Sequence, residues 1–180
     1  MKNDLYILIT GLLFTLLNLT GCNPPTPPAQ ITPPGDYLLL SQDSTGANGY
    51  RNEKGDLVIP FGKYPMCLTD TFKTHAIVFT EKGFVVIDRQ EQVLYEVFNY
   101  DNGPDYPSEG LFRIVQNGKM GYADAATYRV VIQPQFDCAF PFENGTARVS
   151  NNCTVAQEGE HKIWNSDEWK EIDKLGNDVR

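Results

Sequence analysis

Apolar and polar residues alternate in short runs through most of the chain, with turn formers between them. Ala76-Ile77-Val78-Phe79 and Leu111-Phe112-Arg113-Ile114-Val115 are such runs, and Ala147-Arg148-Val149 is a shorter one. A period of two sends successive side chains to opposite faces, which is how a half-buried strand reads. Asn117-Gly118 stands between Arg113–Val115 and Tyr122; both residues tolerate positive φ, so the pair predicts a tight hairpin turn. Glu81-Lys82-Gly83 fills the same role in the preceding unit, and Phe84–Asp88 turns through Arg89–Gln92 into Val93–Phe98. Pro60 and Pro134 fall just after strands, where a missing N–H costs no ladder bond. No stretch sustains a helical period. Asp167–Lys174 has room for one helical turn, but Trp169–Asp173 also alternates as a strand. The expectation is an all-β domain made of hairpins.

The runs recur. Ala76, Leu111 and Ala147 open equivalent strands at spacings of 35 and 36 residues. Gly-aromatic pairs at Gly49-Tyr50, Gly83-Phe84 and Gly121-Tyr122 follow at spacings of 34 and 38. Leu57-Val58-Ile59-Pro60 is echoed by Val130-Val131-Ile132-Gln133-Pro134, and Cys67 and Cys138 each lie nine residues before Ala76 and Ala147. The period of about 35 falls in the range of stacked repeat architectures.

These residues resemble a known family. Glu109-Gly110-Leu111-Phe112-Arg113-Ile114-Val115-Gln116-Asn117-Gly118-Lys119-Met120-Gly121-Tyr122-Ala123-Asp124, continued by Val131 to Phe140, is similar to the bacterial WG repeat. Phe142 to Val149 begins a further unit, and Lys162–Trp164 with Trp169–Gly176 resembles its continuation. The likeness spans most of residues 49–176 and is strongest over 108–149. Met120 replaces the usual tryptophan, and Lys82-Gly83-Phe84 lacks the position. The resemblance implies three to four stacked β-hairpin repeats in an exported protein that binds or scaffolds, and it brings no catalytic residues.

Composition narrows the function. Residues 36–180 form the expected repeat domain, and its length suits one domain with a real core. Nine Tyr and ten Phe bring the aromatic share to 12%, a mix that favours strands. The net charge of −8 repels phosphate backbones and anionic lipid, which argues against nucleic-acid binding.

The first 21 residues read as a targeting segment. Lys2 supplies positive charge, and an apolar run from Leu5 to Leu17 is too short to span a bilayer but fits a signal peptide. Leu19-Thr20-Gly21-Cys22 resembles the lipobox of bacterial lipoproteins, which implies lipidation of Cys22 and a firm anchor. Asn23, where an inner-membrane signal would have Asp, implies the outer membrane, on its periplasmic face. Residues 22–35 then form the tether: Asn23 to Pro34 holds six of the chain's twelve prolines and no charge, so it favours an extended spacer.

Cys67, Cys138 and Cys153 remain after lipidation. In an oxidising compartment three cysteines imply one bridge and one leftover thiol, and Cys138–Cys153, 15 residues apart, is the expected pair. Zinc is the weaker alternative, since no CxxC pair exists and His75 and His161 lie far from paired ligands. The loop Asn99 to Glu109 is rich in oxygen ligands but lacks the spacing of a calcium loop, and reads better as a turn between repeats. Neither histidine has an acid or nucleophile placed beside it, and no serine sits in a G-x-S-x-G context. Trp164, Trp169 and the tyrosines either cap the last repeat or line a sugar-binding face; capping is preferred. No cofactor and no metal are expected. The leading expectation is a non-enzymatic binding or scaffold lipoprotein with a protein partner. The alternatives are an immunity or inhibitor lipoprotein against an envelope-acting effector, and a glycan- or peptidoglycan-binding module.

Overall fold

A computed structural model describes residues 36–158 and 161–179, and within them every regular element is a strand. The signal segment, Cys22 and the tether lie outside the described residues. In chain order the strands are β1 (Leu38–Gln42), β2 (Asn48–Asn52), β3 (Leu57–Ile59), β4 (Met66–Cys67), β5 (Thr71–Phe72), β6 (His75–Thr80), β7 (Gly83–Asp88), β8 (Val93–Val97) and β9 (Asn99–Tyr100). They continue as β10 (Gly103–Pro104), β11 (Leu111–Gln116), β12 (Lys119–Asp124), β13 (Val130–Phe136), β14 (Cys138–Ala139), β15 (Thr146–Ser150), β16 (Thr154–Glu158), β17 (His161–Asn165) and β18 (Lys170–Asp173).

The repeating element is the expected antiparallel hairpin extended by a third strand into a meander: β1-β2-β3, β6-β7-β8 and β11-β12-β13. A fourth unit opens with β15 and takes β18 as its second strand. The hairpin β16–β17 is inserted between those two. Of Trp169–Asp173, Lys170–Asp173 is strand, and the helical alternative falls away.

One turn fixes the register of all four units. The second strand ends on Asn52, Asp88, Asp124 or Asp173, whose side-chain oxygen accepts backbone N–H groups from the residues just beyond. Asn52 serves Lys54 and Asp56, Asp88 serves Gln90 and Gln92, Asp124 serves Ala126 and Thr127, and Asp173 serves Leu175 and Asn177. A carboxylate or amide here imitates a backbone turn and holds the chain for the third strand. These positions recur every 36 residues up to Asp124, and 49 residues separate Asp124 from Asp173 because of the inserted hairpin.

The Gly-aromatic landmark holds for two units and fails for one. Gly49 and Gly121 lie against the third strand: a Cβ on Gly49 would sit 2.7 Å from the Ile59 carbonyl oxygen, and one on Gly121 2.6 Å from the Pro134 nitrogen. The aromatic that follows, Tyr50 or Tyr122, is buried and donates its hydroxyl to a carbonyl of the next link, Thr69 or Phe140. Gly83 instead occupies a hairpin turn at φ 102° with open space around it. By pairing, Val86 and not Phe84 matches the two tyrosines. Likewise Cys67 pairs with Val78 as Ala139 pairs with Val149, so Cys67 corresponds to Ala139 and not to Cys138. Asn117 and Gly118 take φ of 53° and 73°, the tight turn expected of them.

Each core is shared between consecutive units. Leu38, Tyr50 and Ile59 of the first unit pack with Phe72, Ala76, Val78 and Ile87. Val86, Tyr95 and Val97 of the second pack with Phe112, Ile114 and Ala123. Leu111, Tyr122 and Ile132 of the third pack with Phe142, Ala147, Val149 and Ile172 of the fourth. Every large side chain removed from water in this way contributes about 1.5–3 kcal/mol.

Candidate binding surface

The third and fourth units carry an arginine where the first two carry Leu40 and Ile77, at the centre of the first strand. Arg113 faces Tyr122 in the ladder and Arg148 faces Glu171. In each case a phenylalanine from the preceding link closes onto that strand. Phe98 donates its N–H to the Arg113 carbonyl at 3.0 Å, and Phe140 donates to that of Arg148 at 2.9 Å. The guanidinium then lies over the same ring, 4.4 Å from the Phe98 centroid and 4.5 Å from that of Phe140. Cation–π contact of this kind strengthens as the pair loses water.

The two arginines differ in what else they meet. Arg113 is buried against Asp105: the carboxylate accepts the Arg113 backbone N–H at 2.8 Å and Nε at 2.9 Å, and pairs with Nη2. Both side chains are almost fully enclosed, at 4% and 3% exposure. Nη1 reaches across to the Ala139 carbonyl at 3.2 Å. A buried guanidinium requires this level of satisfaction, because an unpaired one is strongly destabilising. Arg148 is exposed, and its guanidinium is stacked a second time, 4.6 Å from the Trp169 ring. It opens onto a shallow cleft of about 460 Å³ that Phe140, Glu143, Thr146 and Glu171 also line.

The rings between the two arginines form one strip. Trp164 lies 5.6 Å from Phe98 and 5.5 Å from Phe140, and Phe140 lies 5.4 Å from Trp169. Exposed Tyr100 flanks Arg113 at the far end. Trp164 also packs on the last core, and both tryptophans are only partly buried. The disulfide Cys138–Cys153 ties the start of β16 to β14 and so holds the hairpin that delivers Trp164.

The other residues singled out in the sequence fall elsewhere. The loop Asn99 to Glu109 folds back on β11, and its Asp105 carboxylate is committed to Arg113 rather than open to a cation. Among the described residues no three His, Cys, Asp or Glu side chains come together as metal ligands. Glu109 is held below the usual carboxylate range by hydrogen bonds from Lys174 and from the Gly145 N–H. Cys67 is buried in the first core, and burial pushes its thiol up to about 11. His75 sits half-buried near Tyr128 and Thr74, and burial lowers its pKa. The side chain of His161 lies outside the described residues. No motif marks Arg113 or Arg148 in the sequence; the signal they leave is an arginine three residues after the glycine of Glu109-Gly110 and of Asn144-Gly145, inside a strand.

Residues 120–152 match the family model for the WG containing repeat. That segment runs from Met120 on β12 to the residue before Cys153, and so includes Phe140 and Arg148. No curated protein and no solved structure matches the chain.

Proposed function

We propose that this chain is a non-enzymatic binding or scaffold lipoprotein of the bacterial cell envelope, anchored through Cys22, which presents the strip around Arg148 to a protein partner. The carrying observation is the strip itself: two tryptophans, a tyrosine and an arginine contiguous at one surface. That composition characterises the few residues that dominate protein–protein affinity. The ring geometry favours a protein over a glycan. Phe140 and Trp169 lie under Arg148, Phe98 lies under Arg113, and the rings meet one another at 53–81°, so edges rather than open faces are offered to a ligand. Sugar stacking needs faces. Acidic Glu143 and Glu171 line the cleft beside the strip and favour a partner that is neutral or basic overall.

The test is photo-crosslinking in cells, with a photoreactive residue at Tyr100 of the lipidated chain and mass spectrometry of the captured species. One dominant protein is the expected result, and its identity separates a scaffold from an immunity lipoprotein. Capture of glycan fragments alone, or of nothing beyond a Cys22→Ser control, overturns the reading.

A further inference from the structure

The two arginine positions are built alike, but the links that precede them differ. Fifteen residues separate Phe98 from Arg113, but only eight separate Phe140 from Arg148. The longer link before the third unit is the loop Asn99 to Pro107, which carries Asp105 onto Arg113 and buries both. The shorter link before the fourth unit has no such loop, and the corresponding place is the open cleft beside Arg148. Ring, guanidinium and ladder bond are otherwise the same in the two units.

We propose that the cleft at Arg148 receives an extended segment of the protein partner carrying a single aspartate or glutamate, whose carboxylate meets Arg148 as that of Asp105 meets Arg113. The inference rests on the binding-module reading and names the chemistry of its partner. Arginine suits the task, since its planar fork offers five donors and takes a carboxylate on two of them. Stacking between Phe140 and Trp169 fixes the guanidinium plane before the ligand arrives, which reduces the ordering cost of binding. Glu171, across the ladder from Arg148, and Glu143 also line the cleft. With acidic side chains on the cleft wall, an acidic stretch is disfavoured, and one carboxylate in a neutral or basic segment is the form that fits.

The experiment uses the full chain in detergent and a peptide with the sequence of residues 102–108, capped at both ends so that its one charge is the aspartate. The chain has two tryptophans, and Trp169 touches Arg148, so tryptophan emission reports occupancy. Saturable binding is expected, weakened about ten-fold or more by Asp105→Asn in the peptide, as for loss of a hydrogen bond to a charged group. Arg148→Ala in the protein removes binding and Arg148→Lys weakens it, with unchanged thermal melting confirming the fold. No saturable binding, or indifference to the peptide aspartate, overturns the proposal. Photo-crosslinking separates this failure from that of the wider reading: a partner captured from Tyr100 but not from Thr146 leaves the binding module standing and removes the cleft.

Discussion

The buried pair Asp105–Arg113 gives the sharpest test of how the link between the second and third units is held. Replacing Asp105 by alanine removes the acceptor of three Arg113 groups, the backbone N–H, Nε and Nη2. The guanidinium keeps its 3.2 Å bond to Ala139 and its contacts with the Phe98 and Tyr100 rings. Removing one partner of a buried pair costs about 3–5 kcal/mol. Residual contacts place this case near the lower end, so about 3 kcal/mol is expected. With a urea dependence of about 2 kcal/mol per molar, the midpoint falls by about 1.5 M. The comparison variant is Asp178→Ala, which breaks the exposed pair with Lys170 and should cost less than about 1 kcal/mol. The double variant Asp105→Ala with Arg113→Met should lose less than the two single losses added together, because no charge is left stranded. A loss under about 1 kcal/mol for Asp105→Ala, or full additivity, would refute the argument that this loop is held by a dry ion pair.

Other variants follow from the same geometry. Gly121→Ala forces a Cβ onto the backbone of Gln133 and Pro134 and should cost about 2–3 kcal/mol in a denaturation midpoint. Removing the disulfide with Cys138→Ala and Cys153→Ala should cost about 3 kcal/mol for a loop of this length, and should shift Trp164 emission to the red as the hairpin loosens. His75 binds its proton more weakly in the folded state than in the unfolded chain, because burial opposes the charge. Stability that is full above about pH 6.5 therefore falls as pH drops below that value. Urea midpoints at about pH 7.5 and about pH 5.5, one on either side of that value, measure this, and His75→Gln should reduce the difference. Asp43, Asp124 and Asp173, lowered by their turn hydrogen bonds, act only in stronger acid and do not blur that window.

The strands and most turns were legible because they depend on local chemistry. Alternation placed β6, β7, β8 and β11, and Asn117-Gly118 announced its own turn. The register was harder, since glycine serves two purposes that look identical in sequence. Gly121 gives way to a neighbouring strand, whereas Gly83 merely turns the chain, and pairing the two misaligned the second unit. Asn52, Asp88, Asp124 and Asp173 mark the period better, because each must satisfy the same turn. The inserted hairpin pushes the last of them out of step, although the strand that ends on it still shows its alternation. The candidate site was less legible still. Arg113 and Arg148 acquire meaning only once Phe98 and Phe140 are seen to occupy equivalent places, and the links before them differ in length by the loop that brings Asp105.

The sharing of cores between consecutive units has a consequence for how such a chain can change length. Each interior lies across a boundary, so a cut made at a boundary opens an interior instead of freeing an intact piece. A fragment ending after β13 would keep Tyr122 and Ile132 but strip them of Phe142, Val149 and Ile172. Gain or loss of one whole period is different: it adds or removes one unit together with one interior and leaves both ends as they were. The quantity inherited intact is the junction between neighbours, and the count of junctions, more than the count of strands, sets what the domain can lose and still fold.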